Sequence, residues 1–137
     1  MTVSCYLGVD VGTQGLTALL AKSAPGKSTH PEDTAKKSTL NVLAIGEGDY
    51  GFVNDLPEGC YEQDPLQWED ALLKALKSIS KTLQEDGNKT VSIDAICVTG
   101  QMHGCVMIDK DGKNIGTARL WCDARNQEEV GRRTNGI

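Results

Sequence analysis

Four short stretches combine residue types that do chemistry. Asp10-Val11-Gly12-Thr13-Gln14-Gly15 joins two apolar runs. Glycines in a tight turn expose backbone N–H groups and let a phosphate come close. The Thr13 hydroxyl and the Gln14 amide add side-chain donors, and Asp10 offers a magnesium ion an oxygen ligand through water. An ordinary hairpin turn would use the same residues. Gly100-Gln101-Met102-His103-Gly104 follows an apolar strand, at the end where open α/β sheets bind ligands. His103 can donate to or accept from a sugar hydroxyl, and Met102 offers a soft apolar wall. A satisfied loop histidine is the plainer alternative. Trp121-Cys122-Asp123-Ala124-Arg125 sets an indole beside a carboxylate and a guanidinium, a composition suited to polyol recognition. A core tryptophan next to a helix-capping Asp123 fits as well.

Other chemistries lack their context. Ala21-Lys22-Ser23-Ala24-Pro25-Gly26-Lys27-Ser28 nearly matches a P-loop. That motif needs a helix starting at its Lys-Ser pair, and Thr29-His30-Pro31-Glu32-Asp33 has no apolar stripe behind it. Asp109-Lys110-Asp111-Gly112 lacks the Gly and Glu of a calcium loop and reads as a hairpin turn. No Ser or Cys nucleophile backs His103, which disfavours a hydrolase triad. Cys5, Cys60, Cys97, Cys105 and Cys122 are odd in number, with no C-x-x-C pair. Free thiols in a reducing cytoplasm are expected, not a zinc site, and the sequon at Asn88 is then a chance match.

The 137 residues suffice for one domain at most. With 14 basic and 19 acidic residues and a net charge of -5, the chain is not expected to bind nucleic acid or a membrane surface. No apolar run reaches the roughly 18 to 20 residues of a membrane span, and Met1 to Asp10 does not read as a signal peptide. The aromatics are two Trp, three Tyr and one Phe, so the core must be aliphatic.

The elements that position these stretches follow from patterning. Ser4–Val9 and Leu16–Leu20 read as a hairpin, and Asn41–Gly46 adds a third antiparallel strand. Between them, residues 22–39 read as an exposed polar insertion. Asp64 caps a helix with Pro65 at its first position, and Gln67 is placed to complete a capping box. Trp68, Leu72, Ala75, Leu76, Ile79 and Leu83 form its apolar stripe. Glu69 and Asp70 come early and Lys74, Lys77 and Lys81 late, as the helix dipole favours, and Asp86-Gly87 ends it. Ile93–Thr99 is a strand whose apolar centre, Ala95-Ile96-Cys97-Val98, suits cover on both faces and a parallel neighbour. Cys105–Ile108 and Ala118–Trp121 are two further strands, and Asn126–Arg133 begins a helix.

Taken together and in order, these stretches resemble the FGGY family of carbohydrate kinases. Asp10-Val11-Gly12-Thr13 is similar to the family's first phosphate loop, and Tyr61-Glu62-Gln63-Asp64-Pro65 with Trp68 to the start of its first long helix. Gly100-Gln101-Met102-His103-Gly104 is similar to its sugar loop, and Leu120-Trp121-Cys122-Asp123-Ala124-Arg125 to its Leu-Trp-x-Asp-x-Arg segment. The resemblance implies an α/β, actin-like, ribonuclease-H-like domain with a mixed sheet flanked by helices. It implies transfer of the ATP γ-phosphate, with Mg²⁺, to the terminal hydroxyl of a ketose, D-xylulose first. Asp10 would serve metal and phosphate, and Gly12, Thr13 and Gln14 would cradle phosphate. Gln101, Met102, His103, Trp121, Asp123 and Arg125 would bind the sugar.

The family's catalytic base and its adenine-binding second domain would lie beyond this chain. Residues 1–137 are therefore expected to be the N-terminal part of the first domain, inactive alone and prone to self-association through exposed apolar faces. The alternative is a non-catalytic sugar-binding or regulatory module derived from such a kinase.

Overall fold

The computed structural model describes residues 3–25, 38–87, 90–127 and 130–131. Strands β1 (Val3–Val11), β2 (Gly15–Pro25) and β3 (Ser38–Asp49) form an antiparallel meander. The expected hairpin is present with longer arms. Pairs Lys22↔Asn41, Ser23↔Leu40, Ala24↔Thr39 and Pro25↔Ser38 zip both ends of the supposed insertion into the sheet. Ladder bonds are made by backbone, so solvated polar side chains do not stop them. The same pairing puts Ala21 to Pro25 of the P-loop look-alike on a strand. Its remainder, and the rest of the insertion, lie outside the described residues.

Helix α1 (Pro65–Glu85) opens as its cap predicts: the Asp64 carboxylate accepts the Leu66 N–H at 3.0 Å. The capping box does not form. Gln67 turns outward and accepts the Gly51 N–H at 3.3 Å, because the preceding segment passes beside the first turn. The expected dipole pattern is absent from the terminal turns, which hold no acid at the start and no base at the end. Gly87 closes the helix at φ +96°, a conformation glycine adopts without penalty.

The buried stripe is Ala71, Ala75, Ile79 and Leu83, packed on Cys5, Leu7, Val9, Leu16, Ala18, Leu20 and Ala44. Trp68, Leu72 and Leu76 flank it, only half-buried. The stripe is centred on alanines because α1 lies directly on two glycines of β3. A Cβ at Gly46 would stand 2.0 Å from the Ala75 carbonyl oxygen, and one at Gly48 2.4 Å from that of Ala71.

Strand β5 (Val91–Gly100) returns parallel to β1, from Val3↔Val91 to Val11↔Gly100, giving the sheet order β3-β2-β1-β5. The parallel neighbour was expected; burial on both faces is not observed. Ile96 and Val98 are 62% and 65% exposed. Their side shares a register with Leu7 and Val9, but α1 sits over β2 and β3. An open apolar groove remains between α1 and β5, lined by Trp68, Leu72, Leu76, Ile96 and Val98.

Two-residue strands β4 (Glu62–Gln63) and β6 (Ala118–Arg119) pair antiparallel. The expected strand Cys105–Ile108 reduces to single bridges, Cys105↔Arg119 and Ile108↔Asn114, the latter flanking the expected turn at Asp109–Gly112. The strand expected at Ala118–Trp121 stops at Arg119, since Leu120 gives its N–H to the Tyr61 carbonyl and the chain then turns. Helical backbone is seen at Gln127, Val130 and Gly131; the rest of that expected helix lies outside the described residues. The five cysteines form no disulfide. Among the described residues no helix is long and apolar enough to cross a membrane.

Candidate functional site

The β1–β2 turn is held from below. Gly12 N–H donates to the Gly15 carbonyl at 2.9 Å, closing the turn on itself. The Tyr50 hydroxyl donates its one proton to the Gly12 carbonyl at 2.5 Å and stands 3.0 Å from that of Gly15. Burial, with the Asp10 charge second, pushes the Tyr50 phenol up from its usual pKa, so the hydroxyl stays a donor. Gly12 therefore shapes the turn with its N–H already engaged, and Thr13 and Gln14 form its outer rim.

The sugar-loop candidate begins where β5 ends. Gln101 N–H donates to the Val11 carbonyl at 2.9 Å, so the loop leaves the sheet beside the turn. Thr13, Gly100, Gln101, Met102, His103 and Trp121 line one hollow of about 400 Å³. Met102 is 74% and Trp121 60% exposed, so both offer apolar surface to whatever enters. The core-tryptophan alternative for Trp121 does not hold. His103 sits at φ +59°, a left-handed conformation uncommon for a residue with a Cβ.

Asp10 lies elsewhere. It pairs with Thr17 and Thr99, and its side chain belongs to the sheet face opposite α1. There Gly8, Asp10, Thr17, Cys97 and Thr99 border a second recess. Among the described residues no cluster of three or more His, Cys, Asp or Glu could hold a metal ion. One exposed carboxylate nevertheless fits magnesium, which keeps most of its waters and uses one or two carboxylates plus phosphate oxygens.

Asp123 and Arg125 are drawn into a latch. The Asp123 carboxylate accepts Arg125 Nε at 2.9 Å and Nη2 at 2.6 Å, and the Tyr61 N–H at 2.9 Å. Arg125 Nη2 also reaches Glu62, whose other oxygen accepts the Thr117 hydroxyl. Hydrogen bonds from Arg125 hold the Asp123 carboxyl far below the usual carboxylate range; the Thr117 hydroxyl, then Arg125, lower that of Glu62. Neither Asp123 nor Arg125 lines the hollow; the latch fastens the Trp121 segment to β4.

Sequence reasoning missed two residues. Tyr50 fixes the turn across 38 positions, and no local pattern announces such a contact. Gln63 is 1% exposed, donates from Nε2 to the Thr13 carbonyl at 2.6 Å and accepts at Oε1 from Trp68 and Gln101. Its place between two acids in Glu62-Gln63-Asp64 was the available signal, since a neutral amide there is the residue that can be buried.

A sequence model of the FGGY family of carbohydrate kinases, N-terminal domain, matches residues 5–135. A xylulose kinase of Haemophilus influenzae is 30% identical over 125 residues, covering 90% of this chain and 22% of that protein. One from Staphylococcus epidermidis is 40% identical over 126 residues, covering 92% and 22%. Among solved structures, a xyloylose kinase from Brucella ovis superposes with a TM-score of 0.70 at 29% identity, over 94% of this chain and 23% of that one. A Plasmodium falciparum glycerol kinase, 20% identical, shares the fold at a TM-score of 0.75 over 99% of this chain and 24% of that one. The chain thus spans about a fifth of the length of the relatives it matches. It belongs to the FGGY family of carbohydrate kinases, and its mixed sheet with one long helix is of the actin-like, ribonuclease-H-like kind.

Proposed function

We propose that this chain is the sugar-binding, phosphate-facing part of an ATP-dependent ketose kinase of the cytoplasm, with D-xylulose as the acceptor. One observation carries the reading: Thr13 of the turn and Gln101, Met102 and His103 of the loop line the same hollow, beside an exposed indole. Phosphoryl transfer rests on positioning and electrostatic stabilisation. A ketose in the hollow would lie on the Trp121 and Met102 surfaces and exchange hydrogen bonds with Gln101 and His103. The turn would meet the transferring phosphate through Thr13 and Gln14, with Gly12 setting its shape. ATP would supply the phosphoryl group, and Asp10 would hold a Mg²⁺ ion through water, whose charge would offset that of the phosphate oxygens. The relatives named xylulose kinase support the acceptor. Asp123 and Arg125 enter this reading as the latch that carries Trp121.

The test is ADP release from MgATP on adding D-xylulose, with this domain inside a protein of the relatives' length. His103→Ala and Trp121→Ala should each raise KM for the sugar by about ten-fold, the worth of one hydrogen bond or stacked face. Calorimetry on the 137-residue chain separates recognition from transfer. Sugar binding with no turnover in the longer protein would favour the non-catalytic module, and absence of both would end the ketose reading.

A further inference from the structure

Two successive peptide planes of the β1–β2 turn are held by side chains from one side. The Gly12 carbonyl accepts the Tyr50 hydroxyl at 2.5 Å, and the Thr13 carbonyl accepts Gln63 Nε2 at 2.6 Å. Every described peptide bond is trans, and across a trans peptide the N–H points opposite to the C=O. The first anchor therefore turns the Thr13 N–H away from Tyr50, and the second turns the Gln14 N–H away from Gln63. Both anchors belong to the α1 side of the sheet. Tyr50 packs against the core that α1 covers, and the Trp68 indole donates to Gln63 Oε1 at 3.1 Å. An indole N–H only donates, so it takes the Gln63 oxygen and leaves the NH₂ for Thr13. The Thr13 and Gln14 N–H groups thus face the other way, toward the side on which Asp10 carries its carboxylate. Neither N–H has a hydrogen-bond partner among the described residues. Gln14 is exposed, and Thr13 is half-buried on the rim of the hollow. Backbone N–H groups shut inside a fold are nearly always paired, so these two, unpaired in an open turn, are met from outside.

We propose that Tyr50 and Gln63 are positioning residues for the phosphate. By drawing the Gly12 and Thr13 carbonyls inward, they aim the backbone N–H groups of Thr13 and Gln14 at the oxygens of the transferring phosphoryl group. Neither side chain touches the ligand. Successive N–H groups directed to one side make a concavity for an anion, and donors fixed beforehand need no reorganisation when charge develops on the phosphoryl oxygens. With its carbonyls untethered, the same turn would be free to present an oxygen to the phosphate and repel it. The inference rests on the phosphate role given to this turn above. It adds which atoms meet the phosphate and which residues aim them.

The test reads the Thr13 and Gln14 amide resonances of the 137-residue chain. Without ligand, Tyr50→Phe should change the residual dipolar coupling of the Thr13 N–H, and Gln63→Met that of the Gln14 N–H. The amides of β1 and β2 should keep theirs. On titration with magnesium triphosphate both amides of the parent should shift. Each variant should need about five-fold more ligand for the same shift, the worth of one hydrogen bond. Tyr50→Phe keeps the ring in the core and serves where Gln63→Met does not fold. D-xylulose should act on the Trp121 indole resonance of Tyr50→Phe as it does on that of the parent. A sugar response lost together with the triphosphate response would show a general loosening and overturn the proposal. Unchanged couplings, or a parent-like triphosphate titration of Tyr50→Phe, would overturn it while the phosphate reading stands. Parent amides that ignore magnesium triphosphate would instead remove the phosphate reading, and the inference with it.

Discussion

Replacing Gly46 by alanine probes the contact that sets α1, and with it Trp68, over the sheet. The added Cβ would stand 2.0 Å from the Ala75 oxygen, 2.7 Å from its carbonyl carbon and 2.9 Å from its Cα. Ordinary contact begins near 3.4 Å, so the helix must retreat by roughly 1.4 Å, loosening Ala71, Ala75, Ile79 and Leu83 from the strands. Overpacking costs about 1 to 3 kcal/mol where side chains can adjust. Here the obstacle is backbone, which has no rotamer to change, so the expected cost is about 3 kcal/mol. That lowers the folded-to-unfolded ratio by about 100-fold and the melting temperature by about 10 °C for a chain of this size. Urea titration followed by circular dichroism at the helix band reads it. Gly8→Ala is the control, because its Cβ would have nothing within 4 Å and should change stability by less than about 0.5 kcal/mol. Adding Ala75→Gly to Gly46→Ala should not help, since the atoms struck belong to the main chain. Parent-like melting of Gly46→Ala, or rescue by Ala75→Gly, would refute the packing argument.

Tyr50→Phe should cost about 1 kcal/mol and speed amide exchange at Gly12, whose turn loses its tether; unchanged exchange would show that the phenol does not hold it. Arg125→Met should lower the melting temperature at pH 7, and the gap from the parent should close as the pH falls. Glu62 and Asp123 have folded pKa values below their unfolded ones. Their contribution is therefore complete above the ordinary carboxylate range near 4 and disappears as pH drops through the folded values. Melts from pH 7 to 2 check this, and a gap as wide at pH 2 as at pH 7 would count against the latch. Val98→Lys places a charge on the bare edge strand. It should leave stability within about 1 kcal/mol and reduce concentration-dependent association in sedimentation, a change that a monomeric parent would not show.

Local signals carried much of the fold. The Asp64-Pro65 cap and the Asp86-Gly87 stop bound α1 within two residues of its ends, because both act through backbone groups next to them in sequence. The glycine turn after β1 and the parallel return of β5 were legible for the same reason. What was not legible depends on partners far along the chain. The apolar run Ala95-Ile96-Cys97-Val98 states that something covers it, without stating where α1 will lie. The small stripe on α1 follows from Gly48 and Gly46, which lie 23 and 29 positions before the alanines they meet, and hydropathy alone favours the larger flank of Trp68, Leu72 and Leu76. At the site, Met102, His103 and Trp121 gathered as their types suggested. Asp123 and Arg125 are chemically suited to a sugar, yet they are closer to each other and to Glu62.

The parallel pairing of β1 with β5 has a consequence for the order of assembly. It joins Val3 to Val91, whereas the meander and α1 are built from nearer neighbours. Closing so long a loop comes late in folding, after local hairpins and helices have formed. Gln101 reaches the β1–β2 turn only when that closure is complete. The hollow is therefore expected to be finished last, and its β5 wall, whose outer edge pairs with no strand among the described residues, is expected to detach first.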